Sequence, residues 1–253
     1  MRGLAVFLLV ITACNLTLKV SNPAFTLSDP NPTSLNIPQG GSGNTQVTLT
    51  PTGGFSGTVN LSLVDRATNN PVTGITLTPS SVTLAGAPLT QTLTVSVAAS
   101  VSPGTYALKI RAQSGSLTQE KNLDVTVALS LIPQLAGRVG SSYQISVNLG
   151  QTLPGVSYQG IAFSVQLPSD FTLSVSPGSL TGSCTLDLYS PLPGSWNVAF
   201  VCPATSTFQG PGQVALLTAT GSSGVLTILD AKLVKSGSYQ EESAVGGSLV
   251  LNP

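Results

Sequence analysis

The chain has 253 residues, and its nine lysines and arginines balance its nine aspartates and glutamates, so the formal net charge is zero. Charged residues make up only 7% of the sequence, whereas about 25% is usual. Such a chain lacks the basic surface that nucleic-acid binding and electrostatic membrane binding require. Histidine is absent, which removes the commonest general base and the commonest metal ligand. Composition therefore argues against nucleic acid as a partner, against a catalytic triad, and against a zinc or copper site.

The first fourteen residues have the pattern of a secretory signal. Arg2 provides a positive charge, an apolar run covers residues 4–11, and small residues lead to Cys14. The run is shorter than the roughly 20 residues that span a bilayer, so we expect cleavage. The sequence Ile-Thr-Ala-Cys at residues 11–14 resembles the lipobox of bacterial lipoproteins. This resemblance implies a cleaved peptide at residues 1–13, a lipid on Cys14 and anchoring to a membrane of the bacterial cell envelope. The alternative is an ordinary signal peptide with a chance cysteine.

After a short tether at residues 14–23, hydrophobic residues alternate with threonine and serine. Residues 47–50 read Val-Thr-Leu-Thr, and residues 93–97 read Leu-Thr-Val-Ser-Val. A period of two with β-branched residues predicts strands with one buried and one solvated face. Glycine and proline clusters interrupt the alternation at short intervals, and no segment has the period of an amphipathic helix. We therefore predict an all-β protein with two consecutive β-sandwich domains, at residues 24–128 and 129–253.

The first domain contains turn motifs beside its predicted strands. They are Gly-Gly-Phe-Ser-Gly at residues 53–57, Pro-Ser-Ser-Val-Thr-Leu at residues 79–84 and Pro-Gly-Thr-Tyr at residues 103–106. In this order they resemble the Ig-like domains of bacterial and archaeal surface proteins. The resemblance implies a spacing, stiffening or adhesive role rather than an enzymatic activity. Tyr106 would then lie at a corner of the sandwich, with a buried ring and a hydroxyl bonded to the backbone.

The second domain carries weaker, mostly hydrophobic motifs. Gly-Ile-Ala-Phe-Ser-Val lies at residues 160–165, Gly-Gln-Val-Ala-Leu-Leu at residues 212–217 and Gly-Ser-Leu-Val-Leu at residues 247–251. Their order resembles a cohesin domain or the similar carbohydrate-binding sandwiches. The resemblance implies a nine-strand jelly roll and a family whose members bind dockerins. The resemblance assigns no residue of this sequence to a dockerin contact. The sequence also has no dockerin-type calcium loop of the Asp-x-Asp-x-Asp kind.

Two cysteines flank a predicted hairpin whose turn is Pro-Leu-Pro-Gly at residues 191–194. Centring the hairpin on residue 193 places apolar side chains on one core-facing side, because strand side chains alternate. The pairs in this register are Cys184 with Cys202, Leu186 with Phe200, and Leu188 with Val198. We predict a disulfide, since the signal peptide directs the chain to an oxidising compartment. The alternatives are two free buried thiols or a redox pair.

Aromatic and acidic residues are the remaining candidates for a ligand site. In the predicted register Trp196 falls on the cysteine face and Tyr189 on the opposite face, so the two rings form no single sugar-stacking platform. Both stay candidate ligand contacts, with core or rim packing as the alternative for Trp196. Glu241 and Glu242 are the only adjacent acidic pair, in a polar stretch that we predict to be a solvated loop. We therefore expect no glycosidase-like acid pair, no metal site and no cofactor.

These patterns together predict a non-enzymatic, lipid-anchored surface protein outside the cytoplasm. An Ig-like stalk would present a cohesin-like module that binds a protein or packs into an envelope assembly. Two alternatives stay open, namely a carbohydrate-binding surface lipoprotein and a purely structural envelope lipoprotein with no discrete ligand. An enzyme is the weakest hypothesis, because only nine carboxylates are present and they are scattered along the chain.

Overall fold

The computed structural model describes residues 22–252, and every regular element in this range is a β-strand. The prediction of an all-β fold is therefore confirmed. The predicted signal peptide, the lipid site at Cys14 and most of the predicted tether lie outside the described residues. Two hydrophobic cores follow one another along the chain, one built within residues 25–127 and the other within residues 129–251.

Nine strands form a first sandwich of two sheets around one core. They are β1 (Ala24–Leu27), β2 (Ser34–Pro38), β3 (Ser42–Thr52), β4 (Gly57–Asp65), β5 (Ile75–Thr78), β6 (Ser81–Leu84), β7 (Leu89–Val97), β8 (Gly104–Ser114) and β9 (Leu117–Ala128). One sheet has the order β1-β3-β7-β5 and the other β2-β9-β8-β4-β6. Alternation positions the core, because successive strand residues face opposite sides of a sheet. Val47 and Leu49 are fully buried, while Thr48 between them lies on the outer face.

Tyr106 lies near the start of β8 and closes a corner of the first sandwich. Its hydroxyl donates a hydrogen bond to the backbone carbonyl of Ser102, with 2.8 Å between the oxygens, so the predicted backbone bond is confirmed. The ring is half-buried rather than buried, because it packs at the margin of the core. This partial burial raises the pKa of Tyr106 above its ordinary value.

Ten strands form the second sandwich. They are β10 (Ser130–Val139), β11 (Ser142–Leu149), β12 (Tyr158–Gln166), β13 (Thr172–Pro177), β14 (Thr185–Leu192), β15 (Ser195–Val201), β16 (Gly212–Thr220), β17 (Gly224–Lys235), β18 (Glu241–Gly246) and β19 (Ser248–Leu251). The strand order is β13-β16-β11-β10-β18-β17-β12-β15-β14, and β19 also pairs with β17. One core contains Ile145 and Leu217 from one half of this order and Phe163 and Val198 from the other. The sheet therefore folds over on itself, and β18 joins its two layers.

The C-terminal segment contains two strands, β18 and β19, which are separated at Gly247. The break between β18 and β19 gives ten strands instead of the nine that the cohesin resemblance implies. The backbone of Gly246 packs so closely against the carbonyl of Ile228 that a Cβ atom has no room there. The N–H of Ile228 then donates to the carbonyl of Gly247 at 2.9 Å. A local irregularity of this kind redirects a strand.

Gln39 connects the two sandwiches from the turn between β2 and β3. Its side chain is buried, and its amide nitrogen donates to the carbonyls of Val101 at 2.6 Å and Gln151 at 2.7 Å. Its amide oxygen accepts the N–H of Ser130 at 3.1 Å. A buried amide is costly unless its polar atoms are paired, and here both donors and the acceptor are used. One side chain thereby fixes the first sandwich against the second.

Candidate binding surface

The β14–β15 hairpin contains the residues that the sequence singles out. Its register confirms the prediction through the pairs Leu186–Phe200 and Leu188–Val198. Cys184 and Cys202 form the predicted disulfide at the open end of the hairpin. At the closed end Gly194 has a φ of +80°, which glycine adopts without steric cost. The carbonyl of Gly194 accepts the N–H of Leu167 at 2.9 Å, so the hairpin is held at both ends.

Leu188 departs from the predicted burial. It lies on the core-facing side of the hairpin, yet 38% of its surface is exposed. The reason is that β14 is the last strand of its sheet and has a neighbour on one side only. The register also shifts between Tyr189 and Leu192, where Leu192 pairs with Ser195. Residues 191–193 near the tip of the hairpin are exposed, whereas Gly194 is buried.

Trp196 and Tyr189, the two candidate ligand contacts, lie on opposite faces of this hairpin. Trp196 is 8% exposed and belongs to the core of the second sandwich. Tyr189 is 62% exposed and borders a depression on the outer face. The indole of Trp196 therefore offers little surface to a ligand. The phenol of Tyr189 is open to solvent, and its contact with a ligand stays a prediction.

The outer face of β14, β15, β12 and β17, which we name the small-residue face, contains a shallow depression of about 230 Å³. Its outward-facing lining consists of Ala162, Ser164, Asp187, Tyr189, Asn197 and Ala199. Ala162 pairs with Ala199, and Ser164 pairs with Asn197, so short side chains lie side by side across two strands. The hydroxyl of Ser164 donates to the side-chain carbonyl of Asn197 at 2.8 Å. Short side chains in the middle of a sheet leave space for a group that projects from a partner.

Charged groups flank this depression on either side. Lys232 on β17 is the sheet neighbour of Ala162, and its ammonium forms an ion pair with Glu241 at 2.8 Å. Asp187 lies on the opposite side, on the outermost strand β14. Asp187 makes no ion pair within residues 22–252. The small-residue face thus presents one acid whose charge is available to a partner.

On two other outer faces, hydroxyl groups bond to one another across neighbouring strands. In the second sandwich, Ser142 on β11 and Thr220 on β16 are 2.7 Å apart. In the first sandwich, Thr48 on β3 and Thr90 on β7 are 2.9 Å apart. Such cross-strand bonds satisfy the hydroxyls within the sheet itself. The small-residue face differs, because it combines a depression, an exposed aromatic ring and an acid without an ion pair.

The adjacent acids Glu241 and Glu242 both form ion pairs with lysines of β17. They lie at the start of β18, which corrects the predicted solvated loop, because pairing with β17 continues to this point. Glu242 is 3.1 Å from the ammonium of Lys235 and accepts the hydroxyl of Tyr158 at 2.9 Å. Burial, and then this bond to Glu242, raise the pKa of Tyr158 far above its ordinary value.

Within residues 22–252, no three His, Cys, Asp or Glu side chains come close enough together to hold a metal ion. The same part of the chain has no helix of the length and apolar character needed to cross a membrane.

No protein-family model matches the chain, and no curated protein matches it. Solved structures of similar fold include a cohesin module from a family 33 glycoside hydrolase of Clostridium perfringens. That match is 10% identical, with a TM-score of 0.43, and covers 49% of this chain and 96% of that one. A non-cellulosomal cohesin from Archaeoglobus fulgidus is 16% identical, with a TM-score of 0.40, over 50% of this chain and 92% of that one. A collagen adhesin from S. aureus is 12% identical, with a TM-score of 0.27, over 92% of this chain and 93% of that one.

Proposed function

We propose that this chain is a non-enzymatic surface protein that binds another protein through the small-residue face of its second sandwich. The depression bordered by exposed Tyr189 and by Asp187 is the observation that carries the proposal. Tyrosine is enriched at protein interfaces, where its ring supplies contact area and its hydroxyl a hydrogen bond. The first sandwich acts as a stalk, since the buried Gln39 side chain fixes its junction with the second.

The binding proposal predicts that filling the depression abolishes capture of the partner. Ala162 is exposed on β12 and pairs with Ala199, so Ala162→Arg places a long charged side chain over the shortest residues of the face. We expect partner recovery from solubilised native envelope to fall at least about tenfold, as for loss of a central interface contact. The matched control is Ser174→Arg, which changes a small exposed residue on β13 in the other layer. Equal recovery of the partner with the two variants would contradict the proposal.

The chain is further proposed to be a lipoprotein of the bacterial cell envelope, anchored through Cys14. The disulfide between Cys184 and Cys202 supports an extracytoplasmic location, because disulfides persist in oxidising compartments. Cys14→Ser is expected to move the protein from the membrane pellet to the soluble fraction, whereas the neighbouring change Asn15→Ser should leave it in the pellet. Retention of the Cys14→Ser protein in the membrane would rule out the anchor.

A carbohydrate is the second candidate ligand, and the exposed ring of Tyr189 is the observation that favours it. Sugar binding would use the phenol as a stacking surface beside the depression. It predicts glycan-array binding that is lost on Tyr189→Ala. Trp196→Ala would test only stability, because the indole is buried in the core. A glycan signal that survives Tyr189→Ala would exclude this candidate.

A further inference from the structure

Strand β14 is a free edge of the second sandwich. The strand order ends with β14, which pairs with β15 and with no other strand in residues 22–252. Residues 185–189 pair regularly with β15 before the register shifts. Each strand residue has an N–H and a C=O, and on an edge strand half of these groups point away from the sheet. An edge of this kind is a template for another strand.

This edge is weakly protected against pairing with another strand. The other edge strands have four to six residues, and β13 also ends in Pro177, whereas β14 has eight. Proteins usually block pairing with short edges, lysines, prolines or bulges. In β14 the proline and the irregularity come only after Tyr189. Residues 185–189 contain no lysine and expose Leu188 and Tyr189.

The same edge is held rigidly in place. The disulfide between Cys184 and Cys202 joins the residue before β14 to the residue after β15. The two-residue turn that includes Gly194 closes the other end, and its carbonyl is bonded to Leu167. A strand fixed at both ends does not peel away when a partner pulls on it. A preformed strand also loses less conformational entropy on binding.

We propose that an extended segment of the partner protein adds to β14 as a new antiparallel edge strand, with a lysine or arginine beside Asp187. This inference rests on the proposed function and specifies how the partner binds. Asp187 faces the small-residue face and has no ion pair in the described chain, so a cation on the same face of the added strand complements it. The next residue of that strand faces the opposite side, where an apolar side chain covers exposed Leu188.

The test uses a displayed library of short random peptides, selected against the full chain. We expect enriched peptides to alternate in hydrophobicity and to carry lysine or arginine at one fixed position. Asp187→Lys should weaken the best peptide about tenfold, and repeated selection against this variant should enrich acidic residues at the same position. Asp170→Lys, which changes an exposed acid outside the small-residue face, should leave both the affinity and the selected motif unchanged.

Amide hydrogen exchange distinguishes strand addition from side-chain contact alone. On peptide binding, alternate amides among residues 185–189 should become protected, because each new ladder bond uses an outward N–H. No enriched peptide, a motif without a basic position, or binding without new protection would each overturn the inference. If the chain forms a dimer in which the edge amides are already protected, a second copy of the chain occupies the edge. That result would also overturn the inference. If Ala162→Arg still blocks partner capture in any of these cases, only strand addition has failed and the proposed function stands.

Discussion

Replacing Gln39 by leucine is expected to destabilise the protein by roughly 3–9 kcal/mol, the cost of leaving two buried backbone groups and one partly buried one unpaired at about 1–3 kcal/mol each. The groups are the carbonyls of Val101 and Gln151 and the N–H of Ser130. Leucine has a similar volume and no polar atom, so packing is largely kept while all three bonds are lost. The free energy of unfolding, measured by denaturant titration, reports the effect.

The control for this change is Gln144→Leu, because Gln144 is an exposed glutamine on β11 in the second sandwich. Surface changes of this kind usually alter stability by less than about 0.5 kcal/mol. A Gln39→Leu protein as stable as the Gln144→Leu protein would show that the junction does not depend on this amide.

Removing the disulfide by the double change Cys184→Ala and Cys202→Ala is expected to cost about 3 kcal/mol in the chain-entropy model. The bond closes a loop with a sequence separation of 18, and its loss frees more conformations in the unfolded chain than in the folded one. Calorimetry should show a lower melting temperature for the double variant than for the parent protein.

A reductant provides the internal control for the disulfide. It should lower the melting temperature of the parent protein to that of the double variant, and it should leave the double variant unchanged. An identical melting temperature for the oxidised parent and the double variant would contradict a stabilising role of the bond.

The hairpin register could be predicted from sequence because two independent patterns agree on it. Alternation places Leu186 and Phe200 on the same side as the cysteines. Once one residue pair of an antiparallel hairpin is fixed, all of its other pairs follow. The burial of Leu188 could not be predicted in the same way. Whether a core-facing position is covered depends on which strand comes next in the sheet, and β14 has no second neighbour.

The two strands at residues 130–149 differ in how far sequence could predict them. Pro133 lies within β10, whose apolar residues follow no regular alternation, whereas β11 alternates strictly from Ser142 to Leu149 and carries the signal of a strand. Strand β13 ends at Pro177. There the hydroxyl of Thr181 donates to the carbonyl of Val214 and accepts the N–H of Gly178. A side chain that bonds to nearby backbone competes with continued pairing.

Sequence indicated only Tyr189 of the candidate site, because the other residues are mostly small and lie far apart along the chain. Ala162, Ala199 and Lys232 become neighbours only through the order β15-β12-β17. Gln39 presents the same difficulty, since it reads as an ordinary turn residue and its partners lie 62 and 112 positions away. Alternation predicts which face of a strand is buried, but it does not predict which strands meet.

Photo-crosslinking from the small-residue face would detect a bound protein in its native setting. A photoreactive side chain in place of Asn197 lies in the depression, and the same group in place of Ser174 lies on the other layer. On irradiation in native envelopes, we expect a protein adduct from position 197 and none from position 174. Adducts of equal yield from both positions, or none from position 197, would contradict the claim that this face binds a protein.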